Sequence, residues 1–128
     1  MFVRSTVILG LIACAAIAGD KEKALSPVEG RKQIGREITV KMEVKAAKDR
    51  LEKRGEIYLD TEENFRDEKN IAVVITRQGA ASLKDAGIAE PAEHFKGKTI
   101  TVTGTVKEVD GVPQIEIDAS KQIAVVEK

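Results

Sequence analysis

The sequence predicts an all-β fold, a small barrel of five strands with one short helical connection, and three observations predict it. Residues 94–117 read HFKGKTITVTGTVKEVDGVPQIEI, in which Ile100, Val102 and Val106 alternate with Thr99, Thr101, Thr103 and Thr105. That is the two-residue period of a strand with one dry and one wet face. Asp110-Gly111 then supplies a tight turn, because glycine takes the positive φ that hairpin turns demand, and alternation resumes with Ile115 and Ile117 inward. The third observation is order: three strand-like runs precede this hairpin, and a single stretch of helical composition separates them from it. Gly104 inside the hairpin weakens the strand but permits the sharp bend of a strand that serves two sides of a small barrel.

Taken in order, Ile34 to Lys45 alternates cleanly, with Ile38, Val40, Met42 and Val44 on one face and Glu37, Thr39, Lys41, Glu43 and Lys45 on the other. Ala46 to Arg54 is highly charged and reads as a connecting loop with one helical turn. Gly55 leads into a second strand, Glu56 to Asp60, with Ile57 and Leu59 facing one way and Tyr58 the other. Asp60 to Asn70 is a second charged loop, interrupted only by Phe65. Its Asp60-x-Glu62-x-Asn64 spacing looks like the start of a calcium loop, but Phe65 stands where glycine is needed and Ile71 where a bidentate acid is needed. Ile71 to Thr76, IAVVIT, is short and apolar enough for a well-buried strand. Ala80 to Ala86 has helical composition with Ser82 as a cap and Gly87 as a stop, and Pro91 opens a further turn through Phe95. Ile123 to Val126 offers an extra C-terminal edge strand. The expected core is Ile38, Val40, Met42, Val44, Ile57, Leu59, Val73, Ile75, Phe95, Ile100, Val102, Val106, Ile115 and Ile117.

The 128 residues suffice for one core and not for two ordinary ones. The start, MFVRSTVILGLIACAAIAGDKEK, carries Arg4, an apolar run from Val7 to Ala18 and then charge, the pattern of an export signal rather than a membrane span. Ala16-Ile17-Ala18 offers small-x-small cleavage, giving a signal peptide over 1–18. Leu11-Ile12-Ala13-Cys14 resembles a lipobox, giving the alternative of a lipoprotein signal over 1–13 with Cys14 lipidated. Cys14 also reads as a small apolar residue of the signal core. Residues 19–33 read as a flexible tether and 34–127 as the folded domain. The expected location is the periplasm or envelope, with the membrane met only through a lipid on Cys14 or the signal segment. The chain holds 21 basic and 21 acidic side chains, and removing 1–18 takes away Arg4 and no acid, leaving a net charge of −1. Tight non-specific binding of nucleic acid by counterion release ordinarily goes with a basic excess, which is absent.

Three strands, a short helical connection and two more strands resemble an OB-fold. Within it, Phe95-Lys96-Gly97-Lys98-x-Ile100-x-Val102-x-Gly104-x-Val106 followed by Gly111-Val112-Pro113-Gln114-Ile115-x-Ile117 resembles the bacterial tRNA-anticodon-binding-like OB domains, which also occur as small exported proteins. The resemblance covers Phe95 to Ile117, and the earlier strands match in order and spacing. One departure is that the first strand has no internal glycine, so its bend has to come from a bulge. The resemblance implies a ligand surface on the outer face of strands two and three, edged by the loop after strand one and the loop of the hairpin. On this chain those positions are Lys45, Lys48, Arg50, Lys53 and Arg54, then Tyr58, Arg77, Gln78, Lys107 and Gln114. Single-stranded nucleic acid is held by such a surface through charge combined with aromatic rings. Tyr58 is the one ring expected on it, with Phe65 a loop residue and Phe95 a core plug. Asp49, Glu52 and Glu56 interleave with the cations, which equally describes a solvated loop.

No arrangement for catalysis emerges. His94 is the sole histidine and has no metal-ligand spacing around it. Ser82 lies in GAASLK, outside any nucleophile motif, and Lys84 is at the wrong spacing to serve it. Glu62-Glu63 and Asp67-Glu68 sit in a polar loop that supplies no cleft to shift their pKa values. The expectation is a non-enzymatic exported binding module without cofactor or metal. Its candidate partners are a short single-stranded oligonucleotide, bound weakly, or an envelope protein.

Overall fold

A computed structural model of the chain describes residues 24–126. The expected signal segment 1–18, with Cys14, lies outside the described residues. The elements are α1 (Pro27–Gly30), β1 (Glu37–Glu43), β2 (Ala46–Arg50), α2 (Leu51–Arg54), β3 (Glu56–Asp60), β4 (Ala72–Thr76), α3 (Arg77–Asp85), α4 (Pro91–Phe95), β5 (Thr99–Val109), β6 (Val112–Ile117), a 3-10 turn (Ser120–Gln122) and β7 (Ile123–Val125).

The strands form one sheet of seven in the hydrogen-bonded order β1-β5-β6-β4-β3-β2, with β7 added on β5. All pairs are antiparallel except β4 with β6. The expected count of five differs for two reasons. The stretch Ala46–Arg50, expected as part of a loop, is the strand β2, and β7 is the extra C-terminal strand. The order is open rather than a closed ring, yet its two ends, β1 and β2, follow each other in the chain across only Val44 and Lys45. Val44 N donates to Lys98 O at 2.9 Å, whereas Lys45 N donates to Asp60 O at 2.9 Å. The bend expected from a bulge is therefore a change of partner between adjacent residues, and it needs no glycine. Ala46–Arg50 had the look of a loop because Ala-Ala-Lys-Asp-Arg has no apolar alternation. It is nonetheless a strand, in register with β3 from Ala46↔Asp60 to Arg50↔Glu56. Main-chain pairing along an existing edge overrides weak side-chain propensity.

The core lies between the inward faces. Val40, Val44, Ile57, Leu59, Val73, Ile75, Ile100, Val102, Ile115 and Ile117 are fully buried, Met42 and Val106 nearly so, and Ile38 packs against them. Phe95, at the end of α4, plugs this core, and Leu83 of α3 and Ile71 join it. The hairpin turn has Asp110 at φ 52° and Gly111 at φ 81°, as expected from the sequence. α3 starts three residues earlier than its composition suggested, and its cap is Thr76, whose Oγ1 accepts from Gly79 N at 3.0 Å, rather than Ser82. Ser82 Oγ instead accepts from Ser120 N at 2.8 Å. Gly79 permits α3 to approach β6, since a Cβ there would stand 2.0 Å from Ile117 O. Residues 24–33, expected within a tether, pack on the sheet. Leu25 bonds to Thr39 and Lys41, and Ser26 and Glu29 form a capping box over α1.

Candidate functional site

The outward positions of the sheet follow from its registers. Lys48 of β2 lies opposite Tyr58 of β3, which lies opposite Val74 of β4 and then Glu116 of β6. One row along, Asp60 lies opposite Ala72, then Gln114, then Lys107 of β5. Of the residues expected at a ligand surface, Lys48, Tyr58, Lys107 and Gln114 are thus brought to one side of one sheet. Arg54 reaches this patch from the turn after β2 and opposes the rise in the Tyr58 pKa. The Tyr58 hydroxyl donates to Glu56 Oε1, and that bond, with partial burial, holds the phenol above its ordinary value.

Several expected residues are placed elsewhere or are already paired. Lys45 Nζ pairs with Glu62 at 3.6 Å and Lys107 Nζ with Glu116 at 2.9 Å. Arg50, Lys53 and Arg77 line a separate groove of about 750 Å³ between α2 and α3. Lys84, Asp49, Glu52 and Glu90 also line it, so its charge is mixed. Arg77 reaches Leu51 O at 3.4 Å, and Gln78 is exposed on α3.

Two residues outside the expected surface join it. Phe65, from the loop between β3 and β4, is 39% exposed. Lys48 Nζ lies 5.2 Å from its ring centroid and Arg66 Cζ 5.0 Å. Arg66 Nη1 also reaches Asp110 O at the hairpin tip, at 3.4 Å. The loop therefore spans from β2 to the β5–β6 turn, and it adds a second ring and a further cation to the side bearing Tyr58. The signal in the sequence was a lone aromatic in a charged run. What it could not convey is which side of the sheet the loop crosses.

Asp60 lies on that side and is buried. Burial pushes its carboxyl above the ordinary carboxylate value, opposed by a hydrogen bond from Asn70 and by the nearby Lys48 charge. His94 packs edge-on against Phe95, with centroids 4.8 Å apart. Among the described residues, no three His, Cys, Asp or Glu side chains gather as metal ligands would.

A β-sheet of this order, with a parallel β4–β6 pair, a helical link before β5 and two first strands joined across Val44 and Lys45 that sit at opposite ends of the order, is the partly open Greek-key sheet of the OB class. Solved structures agree on the fold. The chain is similar to asparaginyl-tRNA synthetase from Pyrococcus horikoshii, with TM-score 0.55 and 13% identity over 82% of this chain and 23% of that one. It is similar to the S. pombe Stn1–Ten1 complex, with TM-score 0.51 and 14% identity over 73% of this chain and 60% of that one. It is similar to an OBody bound to hen egg-white lysozyme, with TM-score 0.56 and 16% identity over 83% of this chain and 95% of that one. The chain thus spans about a quarter of the synthetase, and at these identities the likeness is one of fold. No protein-family model and no curated protein matches the chain.

Proposed function

We propose that this chain is a non-enzymatic OB-fold binding module, a small exported form of the anticodon-binding-like type. It is exported to the periplasm or envelope, through signal cleavage or with Cys14 lipidated. Its outer face holds short single-stranded oligonucleotides weakly. The observation that carries this reading is the row Lys48–Tyr58 with Arg54 beside it, joined by Phe65 and Arg66 on the same side. Rings combined with cations are what a sequence-tolerant single-strand site needs. Likeness in fold to a tRNA synthetase supports the same ligand class.

Fluorescence anisotropy of the chain lacking residues 1–18, against labelled single-stranded DNA and RNA, tests it. Saturable binding that weakens as salt rises is expected, with Tyr58→Ala weakening it further. Absent or salt-independent binding would reject the reading. A protein-interaction module of the envelope is the second reading, favoured by the balance of 21 basic and 21 acidic side chains and by the ion pairing of Lys45 and Lys107. The fold neighbour bound to lysozyme supports it too. Capture of a defined envelope protein, lost on reversing the Lys48 charge, would select it.

A further inference from the structure

The loop from Thr61 to Asn70, which leads into the core residue Ile71, is ordered by something other than a core of its own. The Asn70 side chain is fully buried within it. Asn70 Oδ1 accepts from Thr61 N at 2.9 Å, Thr61 Oγ1 at 3.0 Å and Glu62 N at 3.0 Å. Asn70 Nδ2 donates to Asp60 Oδ1 at 3.1 Å and to Phe65 O at 3.0 Å. Two Asx turns shape the tip, with Asn64 Oδ1 accepting from Arg66 N at 2.9 Å and Asp67 Oδ1 from Lys69 N at 2.8 Å. Asn70 thus fastens the backbone of Phe65 directly. The ring so fixed is exposed and flanked by two cations, whereas the Tyr58 hydroxyl is committed to Glu56. An exposed phenyl contributes little to folding, and the two cations over its face sit on long side chains that can swing aside for a stacked base and meet its flanking phosphates.

We propose that Phe65 is the principal ring on which an unpaired base stacks, with Asn70 its positioning residue and Lys48 and Arg66 the contacts to the flanking phosphates. This rests on the oligonucleotide reading above. Stacking uses the π-face that every base has, so the site takes single strands with little sequence preference. A duplex, whose bases already stack on one another, is refused.

The test uses a fluorescein-labelled oligothymidylate of about a dozen nucleotides, alone and annealed to oligoadenylate, at low salt. Phe65→Ala is expected to weaken single-strand binding roughly 5- to 150-fold, more than Tyr58→Ala does, from the ordinary worth of one stacked base. The chain has no tryptophan, so Phe65→Trp adds one reporter, and its emission is expected to be quenched by unlabelled strand while affinity is kept. Asn70→Ala is expected to weaken binding, and the double variant with Phe65→Ala to lose no more than Phe65→Ala alone, because Asn70 acts through that ring. Wild-type binding that Phe65→Ala leaves unchanged, an unquenched indole, or equal binding of the duplex overturns this inference and leaves the oligonucleotide reading standing. No wild-type binding at the lowest salt overturns both. Phe65 is at the surface, so its variants fold and decide the matter even where Asn70→Ala does not.

Discussion

The β5–β6 hairpin and the loop from Thr61 to Ile71 are both held in fixed shape, by opposite means. In the hairpin, Ile100, Val102, Val106, Ile115 and Ile117 turn one face into the core, and each is 1% exposed or less. Order there comes from removing apolar surface from water. Between Thr61 and Asn70 the loop carries one large apolar side chain, Phe65, which remains exposed, and its order comes largely from one buried carboxamide that satisfies backbone groups the strands leave behind. Apolar order is spread over many residues and has a period. Polar order is concentrated in one residue, so its loss is local.

That contrast predicts two unequal failures. Val102→Asp should abolish folding altogether, since Val102 is fully buried between Val40 and Ile123 and an unpaired carboxylate there has no partner. Loss of a cooperative urea transition is the expected result. A soluble variant that still unfolds cooperatively would show that the hairpin is not the frame. Asn70→Ala should leave the sheet folded and cost about 2–4 kcal/mol, because it strands buried donors and an acceptor that each cost about 1–3 kcal/mol unpaired, without full additivity. Hydrogen exchange should quicken at Thr61 and Glu62 while the β5 amides stay protected. Uniform deprotection of both regions would make the loop part of the frame and erase the contrast.

The same difference governs what could be read in advance. The inward positions of β1, β3, β5 and β6 were visible because burial on one face imposes alternation, β4 was visible as a continuous apolar run, and Phe95 was visible as an apolar plug beside a glycine turn. β2 was not, because Ala46 to Arg50 is a strand by virtue of the edge of β3, which lies elsewhere in the sequence. The Thr76 cap was hidden by its place at the end of an apolar run, where threonine also reads as a strand residue. Of the candidate surface, Lys48 and Tyr58 were legible by chain position. Phe65 was seen only as a lone ring in a charged loop, since its location depends on Asn70 and on Arg66 meeting Asp110 across 44 residues. Arg50 and Lys53 line a separate groove because the one-turn helix α2 turns the chain after Arg50, and Arg77 reaches the same groove from the start of α3.

The mildest change sharpens the comparison at the point where the two kinds of order meet. Asp60 ends β3, is buried, and accepts from Asn70 on the outer side of the sheet. Burial raises its pKa in the folded chain, so the folded state holds its proton to higher pH than the unfolded state does. Stability from this group is therefore full below the unfolded value, roughly 4, and is lost as pH rises through the folded value, leaving a charge cost at neutral pH. Asp60→Asn keeps an oxygen for Asn70 and removes that charge. It should raise the melting temperature at pH 7, with the advantage shrinking towards zero as pH falls below the ordinary carboxylate range, which thermal unfolding at several pH values would measure. Destabilisation of equal size at all pH values would instead mean that both oxygens of Asp60 are needed as acceptors. In that case the carboxylate belongs with Asn70 as part of the fastening, rather than being a charge that the fastening tolerates.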